Sequence, residues 1–364
     1  MRGIHMSDAN ILIDGFLLGK KSGFGRFIFE LCHALGTSKT DLRFDVAVPE
    51  SVDDAALKKY PNIEYLKIRE FIFPIWEQFV IPYLAFKRKY SFVHFPYSTS
   101  ALLVPASRRV VTVHDLTFLN RNAERDLKAS VIHAYYENAF NFSTKSAKKI
   151  ISVSDTTKDA LSGINLNSET IYNTVDAFLS LSNKINLQTN KEKYFLHRGS
   201  PAANHRNTDR VIEAFLSKTE LYENYKLKIF GVGKGHGRWG VSEAQGIEFL
   251  DRVTDEDLAK IYSNALAVVA PSILEGFCLP IIEGFGFGTA VITSRIDPMR
   301  EIAGGAAILV DPLSVPEIAD AMVQLTLDSQ TSVDWIEKGR ARIQAFSSAT
   351  VAAQLLDSYQ RLLH

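Results

Sequence analysis

Short apolar, strand-like runs, many of them rich in β-branched residues, alternate along this chain with stretches of helical periodicity. That alternation leaves few folds open. In the first half the runs are Asn10–Gly15, Phe44–Val48, Ser91–Phe95, Val110–His114, Lys149–Ser154 and Thr170–Tyr172. Continuous runs such as Arg109-Val110-Val111-Thr112-Val113 suit strands covered on both faces, the condition of a parallel sheet. Between them Phe27, Ile28, Leu31, Ala34 and Leu35 follow the one-face spacing of a helix. Ser182–Lys193 has few apolar residues and no period, and reads as a linker. The alternation then restarts with Tyr194–His197, Leu227–Phe230, Ile247–Leu250, Leu266–Ala270, Ala290–Thr293 and Ala307–Val310. Two such blocks predict two doubly wound α/β domains, 1–185 and 186–347, which the 364 residues are long enough to build. A last amphipathic helix, Thr350–Leu363, carries Val351, Leu355, Tyr359 and Leu362 on one stripe.

Charge and cysteine usage narrow the function classes. Lys+Arg and Asp+Glu are both 41, so there is no basic excess to neutralise nucleic-acid phosphates and no nucleic-acid partner is expected. Cys32 and Cys278 are the only cysteines, too few for a disulfide framework or a multi-thiolate metal site. No apolar run reaches the roughly 18 residues of a membrane span, and the start lacks a secretory core. The expectation is a soluble protein of a reducing, cytoplasmic compartment, with Met1–His5 open to being an appended segment before Met6.

In open α/β sheets ligands sit beyond the carboxyl ends of strands, so the loops after these runs are where chemistry belongs. The most informative is Pro271–Ser294, after the run Leu266–Ala270. Glu275-Gly276 forms a turn whose glycine permits close backbone approach, and Pro280 fits the first turn of a following helix. Glu283 then falls in or just after that turn, eight positions beyond Glu275. A helix start beside a glycine loop attracts phosphate, and carboxylates nearby suit hydroxyl-rich groups. The same pattern also fits a Glu283 that only complements the helix dipole and a Glu275 exposed to solvent.

The segment resembles the E-x7-E signature of retaining family 4 glycosyltransferases, written E-G-F-G-L-P-x-x-E-A. Other motifs agree in order: Gly23-Phe24-Gly25-Arg26-Phe27, Trp76-Glu77-Gln78, His94-Phe95-Pro96-Tyr97, Val113-His114-Asp115-Leu116, Ile151-Ser152-Val153-Ser154, Asn173-Thr174-Val175-Asp176 and Arg300-Glu301-Ile302-Ala303-Gly304. The resemblance implies the GT-B architecture, two Rossmann-like domains facing across a cleft, with the last helix (348–364) packing back on the first. It implies a nucleotide-sugar donor site in the second domain. There Glu275 would accept from hydroxyls of the sugar, the backbone N–H groups of Gly276, Phe277 and Cys278 would support sugar and phosphates, and Glu283 would hold the ribose. Arg206 and His205, where the family has a basic pair, would clamp the diphosphate, and the backbone of Val253 would meet the base. In the first domain Gly23 and Gly25 would approach the donor phosphate, His114 would stand beside the transferred sugar, and Tyr97 and Ser98 would line the acceptor side. The donor favoured by the resemblance is GDP-mannose, with a UDP-sugar as alternative. The acceptor is a glycan or lipid-linked saccharide of bacterial polysaccharide assembly. No cofactor or metal is expected for the chemistry. A degenerate binding subunit of the same fold is the competing class, kept open by Ser200, His205, Thr174 and the glycines Gly284, Gly286 and Gly288.

Three patterns point elsewhere at first sight. Asp255-Glu256-Asp257 has the form of a metal-binding D-x-D, but Thr254 and the stripe Leu258, Ile261, Tyr262 predict a capped helix. Gly231-Val232-Gly233-Lys234-Gly235-His236-Gly237 lacks the third glycine of a dinucleotide loop and the G-K-[ST] of a P-loop. Phe71–Tyr90, aromatic-rich and ending Lys87-Arg88-Lys89, invites a weak peripheral contact with the inner face of a membrane, although Pro74 and Pro82 interrupt its period.

Overall fold

The computed structural model describes residues 10–20, 22–116, 127–181, 191–200, 204–241, 245–251 and 253–363. The expectations for Met1–Met6 and for most of the Ser182–Lys193 linker lie outside them. The chain forms two compact units, one of residues 1–174 with 348–364 and one of residues 175–347.

The first unit is built on a parallel sheet of β1 (Asn10–Asp14), β2 (Arg43–Pro49), β3 (Ile63–Ile68), β4 (Phe92–Phe95), β5 (Arg109–Val113), β6 (Lys149–Ser152) and β7 (Glu169–Thr170). Their order is β3-β2-β1-β4-β5-β6-β7. In β1, Ile11 and Ile13 enter one core and Leu12 the other, which is why the run has no polar alternation. The helices are α1 (Gly23–Thr37), α2 (Phe73–Ile75), α3 (Ile81–Lys87), α4 (Leu127–Ser146) and α5 (Asp155–Ser162). α2 and α3 are joined by a π-type turn, Trp76–Val80, so the chain stays helical through both prolines. Pro74 falls in the first turn of the segment, where no N–H is required, and Pro82 directly follows the π-type turn, where the helical hydrogen-bond ladder is already offset. β3 is absent from the strand expectations because it is an edge strand with Glu64 and Lys67 exposed, and so lacks a continuous apolar run.

In the second unit β8 (Tyr194–Arg198), β9 (Lys226–Phe230), β10 (Ile247–Leu250), β11 (Ala267–Ala270), β12 (Ala290–Ser294) and β13 (Ile308–Val310) pair in parallel in the order β10-β9-β8-β11-β12-β13. Around them lie α6 (Asp176–Leu179), α7 (Thr208–Leu216), α8 (Thr219–Asn224), α9 (Asp255–Asn264), α10 (Leu279–Gly286), α11 (Met299–Ala303), α12 (Val315–Leu327) and α13 (Ser329–Arg342). The strand order reverses between β8 and β11, the switch point at which loops diverge and leave a crevice.

The units divide at Thr174 and Val175, earlier than the 185 read from linker composition. The reason is packing: Phe178 of α6 meets Phe287 at 5.0 Å and Tyr262 at 6.2 Å, and Leu179 lies against Gly286. Those contacts commit α6 to the second unit before the polar stretch begins. α14 (Ser348–Leu363) belongs to the first unit, where Val351, Leu355 and Tyr359 are buried in the core. Tyr359 Oη lies 2.6 Å from His94 Nδ1, and Thr112 Oγ1 lies 2.8 Å from Nε2. Burial pushes His94 down to about 3, so the ring is neutral and structural.

Candidate active site

The loops after β8 and β11 flank the switch point of the second unit and are fastened to each other. Gly199, directly after β8, has no room for a Cβ, which would lie 2.3 Å from Val232 Cγ1. The chain then makes a 3-10 turn, Asn204–Arg206, and enters α7 through Asn207 in the left-handed region, φ +65°. Asn207 Nδ2 donates to the carbonyls of Pro271 (3.0 Å) and Pro312 (2.5 Å), joining the loops that follow β8, β11 and β13. The N–H of Ile273 donates to His205 O at 2.7 Å. His205 and Arg206 are therefore held beside the Glu275 loop by backbone and amide bonds, independent of their own side chains.

Their side chains converge on one carboxylate. Arg206 Nε lies 3.6 Å and His205 Nε2 3.9 Å from Glu275 Oε1, and Ser272 Oγ donates to the same oxygen at 3.4 Å. Arg206 Nη1 donates to Gly199 O at 3.3 Å, while its Nε is buried without a hydrogen-bond partner. Burial and the neighbouring Arg198 lower the Arg206 pKa, against the opposing charges of Glu275 and Glu283. A half-buried guanidinium with a buried, unspent Nε–H is chemically ready for an anion, since a charge-assisted bond there recovers desolvation already incurred.

α10 begins beside this cluster. Its N-cap position is Cys278 in the left-handed region, φ +74°, with no side-chain cap. The family pattern has glycine at that position; the strained residue here is Cys278, whereas the sequence placed the close approach at Gly276. Burial raises the Cys278 thiol far above its usual range, so it is un-ionised. Phe277 turns its ring inward against Phe346 at 5.8 Å, leaving only its backbone for a ligand. Glu283 is 3% exposed, and Tyr262 Oη of α9 donates to its Oε2 at 2.6 Å. Gly284 and Gly286 cannot carry a side chain without collision: a Cβ would lie 2.7 Å from Val291 Cγ2 and 2.3 Å from Leu179 Cδ1 respectively. The glycine-rich stretch thus lets α10 lie flat on β11, β12 and α6. Val253 is half-buried just before Thr254, whose hydroxyl accepts from Asp257 N at 3.1 Å and caps α9. Asp257 pairs with Lys260 at 3.2 Å, so the D-x-D acids serve the helix start.

In the first unit the glycines of the β1–α1 connection differ. A Cβ on Gly25 would lie 2.1 Å from Lys20 O, so Gly25 exists for loop packing; Gly23 has open space around it. Ser22 caps α1 by accepting from Gly25 N at 3.1 Å. His114, just beyond β5, places Nε2 3.0 Å from Pro96 O, which sets the tautomer with Nε2 as donor and Nδ1 as acceptor. Phe24 and Phe27 meet its ring edge-on at 4.9 and 4.6 Å, and burial lowers its pKa. Tyr97 is buried, its hydroxyl accepting from Leu17 N at 3.0 Å and its ring against Phe73. It supports the glycine loop from behind; Ser98 next to it is half-buried.

Sequence reasoning missed Tyr262 as the partner of Glu283 and Asn207 as the knot of three loops. It also missed Asp14, at the end of β1, which accepts from Phe16 N (3.0 Å) and Trp76 Nε1 (2.9 Å) and leaves Oδ2 buried and unpartnered. An acid at the end of an apolar strand was the available signal for Asp14. Tyr262 offered none, because a stripe tyrosine looks like any core residue.

Two parallel doubly wound α/β units are the architecture of a GT-B protein, and solved structures agree. Sucrose-phosphate synthase from Thermosynechococcus elongatus aligns over 97% of this chain and 99% of its own, with TM-score 0.74 and 16% identity. HepE of Anabaena in complex with UDP and glucose aligns over 98% and 100%, with TM-score 0.69 and 15% identity. Residues 21–177 match the family described as Glycosyltransferase Family 4, and residues 181–342 the one described as Glycosyl transferases group 1. The chain belongs to the family 4 glycosyltransferases. Among curated relatives, O-antigen chain mannosyltransferase B of Escherichia coli is 33% identical over 116 residues, 32% of this chain and 30% of that protein. O-antigen chain mannosyltransferase RfbU of Salmonella typhimurium is 30% identical over 189 residues, 49% of this chain and 51% of that protein. The chain therefore spans between about a third and a half of the length of these two relatives.

Proposed function

We propose that this chain is a retaining hexosyltransferase that moves mannose from GDP-mannose to a glycan or lipid-linked saccharide in bacterial polysaccharide synthesis. The observation that carries the reading is Arg206, half-buried, with a buried and unspent Nε–H, and drawn toward Glu275 beside the uncapped start of α10. That arrangement suits a diphosphate next to a sugar. The choice of mannose is supported by the two O-antigen mannosyltransferases among the relatives.

In this reading Arg206 and His205, with the N–H groups of Gly276, Phe277 and Cys278, take the negative charge that grows on the departing diphosphate. Glu283 holds the ribose hydroxyls, Glu275 the sugar hydroxyls, and Val253 the base through its backbone. In the first unit, Gly23 leaves the start of α1 open to phosphate and His114 acts on the transferred sugar through its accepting Nδ1. Glu275 already answers two basic groups, so we assign it to hydroxyl recognition and not to attack at carbon. The acceptor oxygen bonds to the anomeric carbon on the face from which the phosphate oxygen leaves, and that phosphate oxygen receives the acceptor proton. The positive groups at the diphosphate make a divalent metal unnecessary for this step.

The test is a thermal-shift series with GDP, UDP, ADP and dTDP, followed by transfer from GDP-mannose with the product's anomeric configuration read by NMR. Stabilisation by GDP and an α-linked product support the reading. Stabilisation by UDP alone moves the donor to a UDP-sugar. Activity abolished by a chelator and restored by Mn²⁺ would overturn the metal-independent step.

A further inference from the structure

The segment Phe73–Lys87 has two apolar faces, and only one of them finds a core. Trp76, Ile81 and Ala85 are buried. Ile75, Phe79, Tyr83 and Phe86, at spacings of four, four and three residues, are between 41% and 63% exposed. Leu102 and Leu103 extend the same face, because Leu102 N donates to Gln78 Oε1 at 2.9 Å and Gln78 Nε2 donates to Ser100 O at 3.2 Å. Isolated exposed apolar residues are ordinary, but six set together, three of them aromatic, mark an interaction surface.

The charges around the face identify what it meets. From 71 to 114 the only carboxylate is Glu77, and it is fully buried, accepting from Thr99 and Gln78. The same stretch carries five cations, of which Arg109 is buried and Arg88 pairs with Asp45 at 3.0 Å. Lys87, Lys89 and Arg108 are exposed, and among the described residues none pairs with a carboxylate. Lys87 Nζ lies 5.4 Å over the ring of Tyr83, so the positive charge borders the aromatic face directly.

We propose that this face seats the protein on an anionic bilayer surface. Phe79, Phe86 and the paired leucines enter the boundary between headgroups and acyl chains. Tyr83 sits at headgroup level, and Lys87, Lys89 and Arg108 meet lipid phosphates. Among the described residues no helix is long and apolar enough to cross a membrane, which agrees with a segment lying on the bilayer. A second copy of the chain fits poorly, since a two-fold contact through this face sets Lys87, Lys89 and Arg108 against their own copies, and within 71–114 the only carboxylate, Glu77, is buried. The inference deepens the lipid-linked acceptor reading and rests on it for its purpose: docking here brings the enzyme to the plane where such an acceptor lies.

The experiment is vesicle flotation of the full chain, with phosphatidylglycerol-containing vesicles against pure phosphatidylcholine. GDP and UDP binding is measured by calorimetry on the same samples. The parent should float with the anionic vesicles, and less so as salt rises. Phe79→Ser with Phe86→Ser should cut partition about tenfold or more while leaving nucleotide binding unchanged. Lys87→Glu with Lys89→Glu, both at exposed positions, should abolish the preference for anionic lipid even if the aromatic variant folds poorly. Absence of binding by the parent, or equal flotation of parent and lysine variant, would overturn the proposal. So would a parent dimer in sedimentation that the aromatic variant dissolves. Nucleotide binding by the parent tests the donor reading separately, so the two fail independently.

Discussion

Replacing Tyr262 with Phe removes one hydroxyl, the group that donates to Glu283 Oε2 at 2.6 Å. Burial, and then the charge of Glu283, raise the Tyr262 phenol well above its ordinary 10, so it is the donor at any assay pH. The ring stays packed on Phe287 (5.6 Å) and Phe178 (6.2 Å), so the cavity created is no larger than an oxygen. What changes is a carboxylate, 3% exposed, left with one donor fewer. A hydrogen bond to a charged group contributes about 1.5–3 kcal/mol, and the loss should appear at that size in urea unfolding. If Glu283 also holds the ribose, its lost orientation should weaken nucleoside diphosphate binding by about tenfold in calorimetry. A double-mutant cycle with Glu283→Gln separates the pair from its surroundings, with an expected coupling of at least about 1 kcal/mol. Stability within about 0.5 kcal/mol of the parent, together with unchanged affinity, would refute the reasoning. Lost stability with unchanged affinity would mean that Glu283 serves only the packing of α9 on α10.

Arg206→Ala should weaken nucleoside diphosphate binding on the order of tenfold to a hundredfold in calorimetry, and Arg198→Ala much less, since the Arg206 turn is the one tied to the Glu275 loop. Glu275→Gln should leave bare nucleotide affinity near the parental value while turnover falls by orders of magnitude, because its hydroxyl contacts count in the transition state; near-parental kcat would sink the assignment. Gly284→Ala should destabilise by about 1–3 kcal/mol in thermal melts despite alanine's better helix propensity, the new Cβ falling 2.7 Å from Val291 Cγ2. Burial pushes Asp14 up to about 7 from the usual 3.8, with the Glu77 charge adding to the rise. The folded protein then keeps a proton that the unfolded chain releases. Its contribution is full below about pH 4 and declines as pH rises to about 7, by up to about 1.4 kcal/mol per pH unit. Asp14→Asn should flatten that decline in melts taken across the window; an unchanged slope would place the proton elsewhere.

The legible part of this protein was what burial writes into composition. β11 and the valines of β5 lie between covering layers, so those runs had to be largely apolar, and the loops after them could be named as sites from sequence. Thr254 announced the start of α9, because an unsatisfied N–H must find a side-chain oxygen. Glu275, Glu283 and Arg206 came from motif resemblance, and the structure adds how they are held. β3, with one covered face and an edge, carried no such imprint. Sequence alone determined the alternation of strands and helices, the two blocks and the loops that bear polar groups, because local periodicity and turn chemistry act over a few residues. Only tertiary structure decided that α6 joins the second unit, that Gly25 is packed while Gly23 is open, that Tyr262 serves Glu283, and which apolar face of Phe73–Lys87 stays outside. Most of those depend on a neighbour tens to hundreds of residues away, and even the near one, Lys20 O beside Gly25, is set by a loop fold that no local pattern records.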